Sequence, residues 1–121
     1  MKLAICNDTF LDWPFEEAFR FARECGYTGL EIAPFTIDAD VRKISGARRT
    51  EVRQQADQAG LEIIGLHWLL AKTEGLYLTS PETSVREATR DYVVALGVVA
   101  VLGPVLTLLP TLALTRKYVK V

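Results

Sequence analysis

Short apolar runs alternate with segments of helical period, and this alternation limits the fold of the chain more than any other feature. "KLAIC" (Lys2–Cys6), "GLEIAPF" (Gly29–Phe35) and "LEIIGLHWLL" (Leu61–Leu70) have the length and character of buried strands. Between the first two, Phe15, Ala18, Phe19, Ala22 and Cys25 recur at helical spacing. Asp12 is the candidate N-cap of that helix, Pro14 falls in its first turn and Gly26 stops it. Between the second and third runs, Ser45 opens a helix that reaches Ala59 and is closed by Gly60, with Val52, Ala56 and Ala59 on its inner face. After the third run, Ser80 and Pro81 form a helix start, and Val85, Ala88, Tyr92, Leu96, Val99 and Leu102 mark one face. "PVLTLLP" (Pro104–Pro110) then reads as a fourth strand. The order βαβαβαβ predicts an α/β domain with a parallel sheet, because each crossover helix returns the chain to the same end of the sheet. "GLEI" at Gly29–Ile32 recurs at Gly60–Ile63, each time directly after a helix and 31 residues apart, in step with one βα unit.

The 121 residues suffice for one domain, read as residues 1–110 followed by a C-terminal tail, 111–121. With 14 basic and 15 acidic residues, no global charge points to nucleic acid or to an acidic substrate. Cys6 and Cys25, with no secretory leader, read as reduced thiols of a cytoplasmic protein. From Tyr92 to Thr115 the chain carries no charge, which reaches the length of a membrane-spanning helix, and the basic "TRKYVK" follows. Gly103–Pro104 and Pro110 divide the run. The expectation is a helix, a break and a buried strand, with membrane association through 92–115 as the alternative.

"GYTGLEIAPF" (Gly26–Phe35) and "AGLEIIGLHWLLAKTEGLYLTSPE" (Ala59–Glu82) give the chain a resemblance to the sugar phosphate isomerase/epimerase family over Lys2–Tyr92. The resemblance implies the xylose isomerase-like TIM-barrel fold, shared with the endonuclease IV type of DNA-repair enzyme. It implies a sugar or sugar phosphate as partner and a divalent metal (Mn, Mg, Co or Zn) as cofactor. The implied reaction is proton transfer between adjacent carbons through an enediolate. A complete barrel takes about 250 residues. Four strands therefore make a partial, half barrel, and the strands that carry most of the family's metal ligands come later.

In a TIM barrel the chemistry lies at the C-terminal ends of the strands. His67, the single histidine, stands near the end of the third strand. Strict alternation places it on one face with Gly65 and Ile63, and Leu66 and Trp68 on the other. On its residues alone it reads as a satisfied structural group; the resemblance makes it a pocket-lining position. Glu31, between Leu30 and Ile32, needs a partner if buried, because an isolated buried charge is costly. It reads as a structural ion pair or as a group binding a sugar hydroxyl or a metal. Asn7 closes the first strand, either as a turn cap or as a polyol ligand, and Trp68 and Trp13 are either core or an apolar wall for a sugar. His67 and Glu31 are the only metal ligands this reading offers. One histidine with scattered carboxylates predicts weak divalent binding, and HExxH, CxxC, P-loop and GxGxxG motifs are absent. Arg42, Lys43, Arg48, Arg49 and Arg53 read as a solvated helix face rather than a nucleic-acid surface. On the third helix the charged Arg86, Glu87, Arg90 and Asp91 give way to Val94, Val98 and Val101. An apolar outer face must be covered, which predicts a homo-oligomer. The competing functional reading is thus a non-catalytic half-barrel that self-associates.

Overall fold

The computed structural model of the protein describes residues 1–101. Three strands, β1 (Ala4–Cys6), β2 (Gly29–Ile32) and β3 (Glu62–Leu66), pair in parallel in the order β1-β2-β3. They alternate with three helices, α1 (Phe15–Glu24), α2 (Gly46–Ala59) and α3 (Thr83–Val101). The architecture is α/β with a parallel sheet, as the alternation predicts, and among the described residues the sheet is open. The expected fourth strand, Pro104–Pro110, and the tail, 111–121, lie outside the described residues.

α1 and α2 cover one face of the sheet. Ala18, Phe19 and Ala22 of α1 meet Val52 and Ala56 of α2 over Leu30, Ile32 and Leu61, all buried. Burial of a leucine or phenylalanine side chain contributes about 1.5–3 kcal/mol, so this layer carries much of the stability. Gly26 ends α1 at φ 92, a conformation suited to glycine. Cys25 is exposed and leaves the helix face the spacing assigns to it. The cap of α2 follows the sequence closely. Ser45 Oγ accepts from the Arg48 N–H at 3.1 Å, and Gly60 closes the helix at φ 72.

A second, smaller core lies under α3. Tyr92 and Leu96 pack on Val41 and Ile44 of the α2-proximal loop, and the Val41 N–H donates to the Tyr92 hydroxyl at 3.2 Å. Thr89 takes the inner position expected of Ala88, which is exposed. Its hydroxyl donates to the Val85 carbonyl at 2.7 Å, so a fully buried polar group is satisfied within its own helix.

Several boundaries move for identifiable reasons. Asp12 adopts φ 71 and makes no cap; Pro14 is the residue before α1, and its fixed φ starts the helix. Ser80 caps a local turn by accepting from the Glu82 N–H at 3.2 Å, and α3 starts at Thr83. The third strand is shorter than Leu61–Leu70, because the chain turns at Trp68, φ 54.

The largest correction concerns alternation within β3. Leu30 pairs with Ile63 but Glu31 pairs with Gly65, so β3 carries one extra residue opposite β2. Such a bulge resets which side chains face which way. Ile63 and Leu66 both pack toward the helix layer, while Ile64 sits beside Gly29 on the opposite face and is 55% exposed. His67 therefore shares its face with Ile64 rather than with Ile63.

Candidate functional site

Parallel pairing sets Cys6, Glu31 and Gly65 side by side across the three strands. Each is the last or nearly the last residue of its strand. His67 follows β3, and its backbone N–H donates to the Ile32 carbonyl at 3.1 Å, which extends the ladder and fixes the histidine at the sheet's C-terminal edge. Cys6, Glu31 and His67 each present a ligand-type atom within 4.8 Å of the other two. All three are half-buried. Gly65 borders this space, and a Cβ there would meet Glu31 Oε1 at 3.9 Å, an ordinary contact.

The hydrogen bonds of the cluster assign its protons. The Cys6 thiol donates to Glu31 Oε2 at 3.4 Å. Burial, then this bond and the negative charges of Glu31 and Asp8, push the Cys6 thiol above its ordinary value. The thiol is therefore the protonated partner and Glu31 the acceptor. His67 Nε2 lies 3.1 Å from Asp8 Oδ1 in the 3-10 turn after β1. A carboxylate only accepts, so Nε2 carries the proton. His67 Nδ1 is buried with no hydrogen-bond partner. In the neutral ring Nδ1 is an unused lone pair, held in orientation by Asp8.

Of the sequence-nominated residues, the structure brings Glu31 and His67 together. Asn7 is buried outside the cluster, and both ends of its amide are committed. Its Oδ1 accepts from the Ala33 N–H at 2.7 Å, and its Nδ2 donates to Thr36 Oγ1 at 2.8 Å. Trp68 is 63% exposed at the turn after His67. Trp13 joins Phe10 and Phe21 in a surface aromatic group and, with Phe10 and Phe15, walls a cleft of about 350 Å³ next to Asn7. Cys6 and Asp8 are the members that sequence reasoning did not nominate. Their signal lies in the register: the end of β1 must neighbour the end of β2, so whatever closes "AIC" stands beside Glu31.

Three of the basic residues nominated on and before α2 have local partners. Arg42 pairs with Asp40 at 2.8 Å and lies over the Tyr92 ring, Arg48 pairs with Glu51 at 2.9 Å, and Arg49 Nη1 donates to the Ile44 carbonyl at 2.7 Å. No helix among the described residues is long and apolar enough to cross a membrane, and residues 102–115 of the uncharged run lie outside them.

The chain was compared with protein-family models, with curated proteins and with solved structures, and nothing in any of the three matches.

Proposed function

We propose that the chain is a half-barrel of the xylose isomerase-like type whose strand ends form part of a site for isomerising or epimerising a sugar or sugar phosphate. One observation carries this reading: Cys6 and Glu31 in β1 and β2, and His67 directly after β3, converge at the sheet's C-terminal edge. That edge is where parallel α/β sheets place ligands, and the resemblance over Lys2–Tyr92 supplies the substrate class.

The residues suit binding better than complete catalysis. Enediolate chemistry removes a proton from the hydroxyl-bearing carbon next to a carbonyl and returns it to the former carbonyl carbon, while the carbonyl oxygen gains a proton and the neighbouring hydroxyl loses one to become the new carbonyl. Glu31 and His67 orient the hydroxyls that flank these carbons. A bound divalent ion would polarise the carbonyl oxygen. By the resemblance, the proton-transferring base lies on later strands of such a barrel, so the residues described here bind substrate with little turnover of their own.

The test is calorimetric titration with aldose and ketose phosphates, paired with an aldose–ketose conversion assay containing manganese, magnesium or cobalt. Saturable binding that is lost in Glu31→Gln and His67→Ala, with low turnover, supports the reading. Absence of binding for every sugar overturns the substrate class, and robust turnover lost in His67→Ala overturns the division between binding and catalysis.

A second reading is self-association. The sheet face opposite the helices exposes Ile64, and α3 exposes Val94 at 52%. Among the described residues β1 and β3 are sheet edges, which invite pairing. The Val98 and Val101 side chains, the rest of the valine stripe, lie outside what is described. Light scattering of the parent and of Val94→Lys decides: an oligomer that the substitution dissociates supports this reading, and a monomeric parent excludes it.

A further inference from the structure

We propose that Cys6, Glu31 and His67 form a three-residue site for a thiophilic divalent ion of the zinc or cobalt(II) class, with Asp8 as the outer partner that orients His67. The isomerase reading rests on the same cluster but uses it to orient substrate hydroxyls and assigns no ion to it. The metal ligands implied by the resemblance lie mainly on later strands, and a count of histidine and carboxylate donors alone predicts only weak binding. That count omits the thiol.

Four features of the cluster support the assignment. The first is donor chemistry. One sulfur, one imidazole nitrogen and one carboxylate make a set suited to zinc, whereas magnesium or calcium requires more oxygen ligands. Catalytic zinc sites commonly have three protein ligands and an open fourth position.

The second is geometry. Zinc–ligand bonds of about 2.0–2.3 Å at tetrahedral angles place ligand atoms about 3.3–3.8 Å apart. Cys6 Sγ and Glu31 Oε2 are already 3.4 Å apart. All three ligand-type atoms lie within 4.8 Å, so closure takes a side-chain shift of about 1 Å.

The third is the histidine. In the neutral ring, with its proton on Nε2 toward Asp8, Nδ1 is the nitrogen left to ligate, and it is buried with no hydrogen-bond partner. Ligating histidines usually donate their other N–H to a carboxylate or a carbonyl, which fixes tautomer and ring orientation. The Asp8–His67 pair already has that arrangement.

The fourth is charge. On binding, the Cys6 S–H bond breaks, its proton goes to solvent and a metal–sulfur bond forms with no change of oxidation state. Thiolate and carboxylate together then balance the two positive charges of the ion, and the neutral imidazole adds none. The half-buried side chains leave a path for entry.

The test uses the metal alone, without any sugar, so its outcome is separate from that of the isomerase reading. Cobalt(II) titrated into the full chain should give a thiolate-to-cobalt charge-transfer band in the near ultraviolet that saturates at one equivalent. Cys6→Ser should abolish the band. Cys25→Ser should leave it, since Cys25 is exposed and not one of the grouped donors. Asp8→Asn should weaken affinity about 10–100-fold, as loss of an outer-shell partner does. No band at one equivalent, or a band lost in Cys25→Ser and kept in Cys6→Ser, overturns the site. X-ray absorption of the zinc-loaded parent needs no variant. One sulfur among nitrogen and oxygen neighbours supports the site, and a shell without sulfur overturns it.

Discussion

Asn7 Oδ1 accepts a hydrogen bond of 2.7 Å from the Ala33 backbone N–H, tying the end of β1 to the end of β2 across 26 residues of sequence. The same amide donates to Thr36 Oγ1, whose hydroxyl donates onward to the Ala33 carbonyl at 2.7 Å. Asn7 and Ala33 are both buried, so water cannot replace the bond. Asn7→Ala should cost about 1–3 kcal/mol, the penalty for a buried donor left unpaired. Asn7→Asp keeps the acceptor for Ala33 and should cost less. Urea unfolding of the two variants checks the order; equal losses would place the main contribution on the Thr36 side.

Gly29 opens β2, the middle strand of the sheet, and its neighbours leave little room for a side chain. A Cβ there would stand 3.2 Å from both Ala4 Cβ and Ile64 Cγ2. Gly29→Ala should destabilise the fold by about 1–3 kcal/mol through overpacking. Ile64→Ala in the same chain should recover part of that loss by removing one of the two clashes. Gly65→Ala, whose Cβ meets only an ordinary contact, should stay within about 0.5 kcal/mol of the parent. Chemical denaturation of the four chains reads all of this.

The Asp40 carboxyl is lowered from 3.8 to about 2, chiefly by the hydrogen bond from the Arg42 side chain. A depressed acid pKa means that the folded state prefers the charged form. The stabilisation is therefore complete above the ordinary value of 3.8 and is lost as pH falls toward about 2. Asp40 also accepts from the Arg42 backbone N–H at 3.1 Å, at the start of the turn that supports Tyr92. The carboxyl carbon shift of Asp40, followed by NMR, should titrate near pH 2, and Arg42→Gln should raise that midpoint toward 3.8. An unchanged midpoint in Arg42→Gln would remove Arg42 as the cause.

The elements legible in the sequence are those fixed by local chemistry. Ser45 and Gly60 bracket α2 in the structure as they do in the sequence, because capping and a left-handed closing residue need only nearby atoms. The order of elements and the parallel sheet are likewise legible, since short crossovers permit little else. Half of the site is legible too: Glu31 and His67 stand out as polar groups in apolar strands. Cys6 and Asp8 are hidden because their roles come from lateral register, which pairs residues 25 apart, such as Cys6 and Glu31. The bulge in β3 is hidden because "EIIGL" contains no residue that demands it. It arises where Glu31 skips Ile64 to pair with Gly65, and only the partner strand shows that.

The bulge gives two adjacent isoleucines opposite roles, and this can be measured directly. Ile63, paired beside Leu30, packs against the core under α1 and α2, whereas Ile64 lies on the far face at 55% exposure. An unbroken alternation that puts His67 on the face of Ile63 would assign them the other way. Ile63→Ala should cost about 2–4 kcal/mol, because it leaves a void between sheet and helices that close packing cannot fill. Ile64→Ala removes atoms that are largely in water already and should cost about 1 kcal/mol or less. Urea unfolding at low protein concentration, where self-association does not contribute, gives both values. A larger loss for Ile64 than for Ile63 would mean that β3 pairs with β2 without the extra residue.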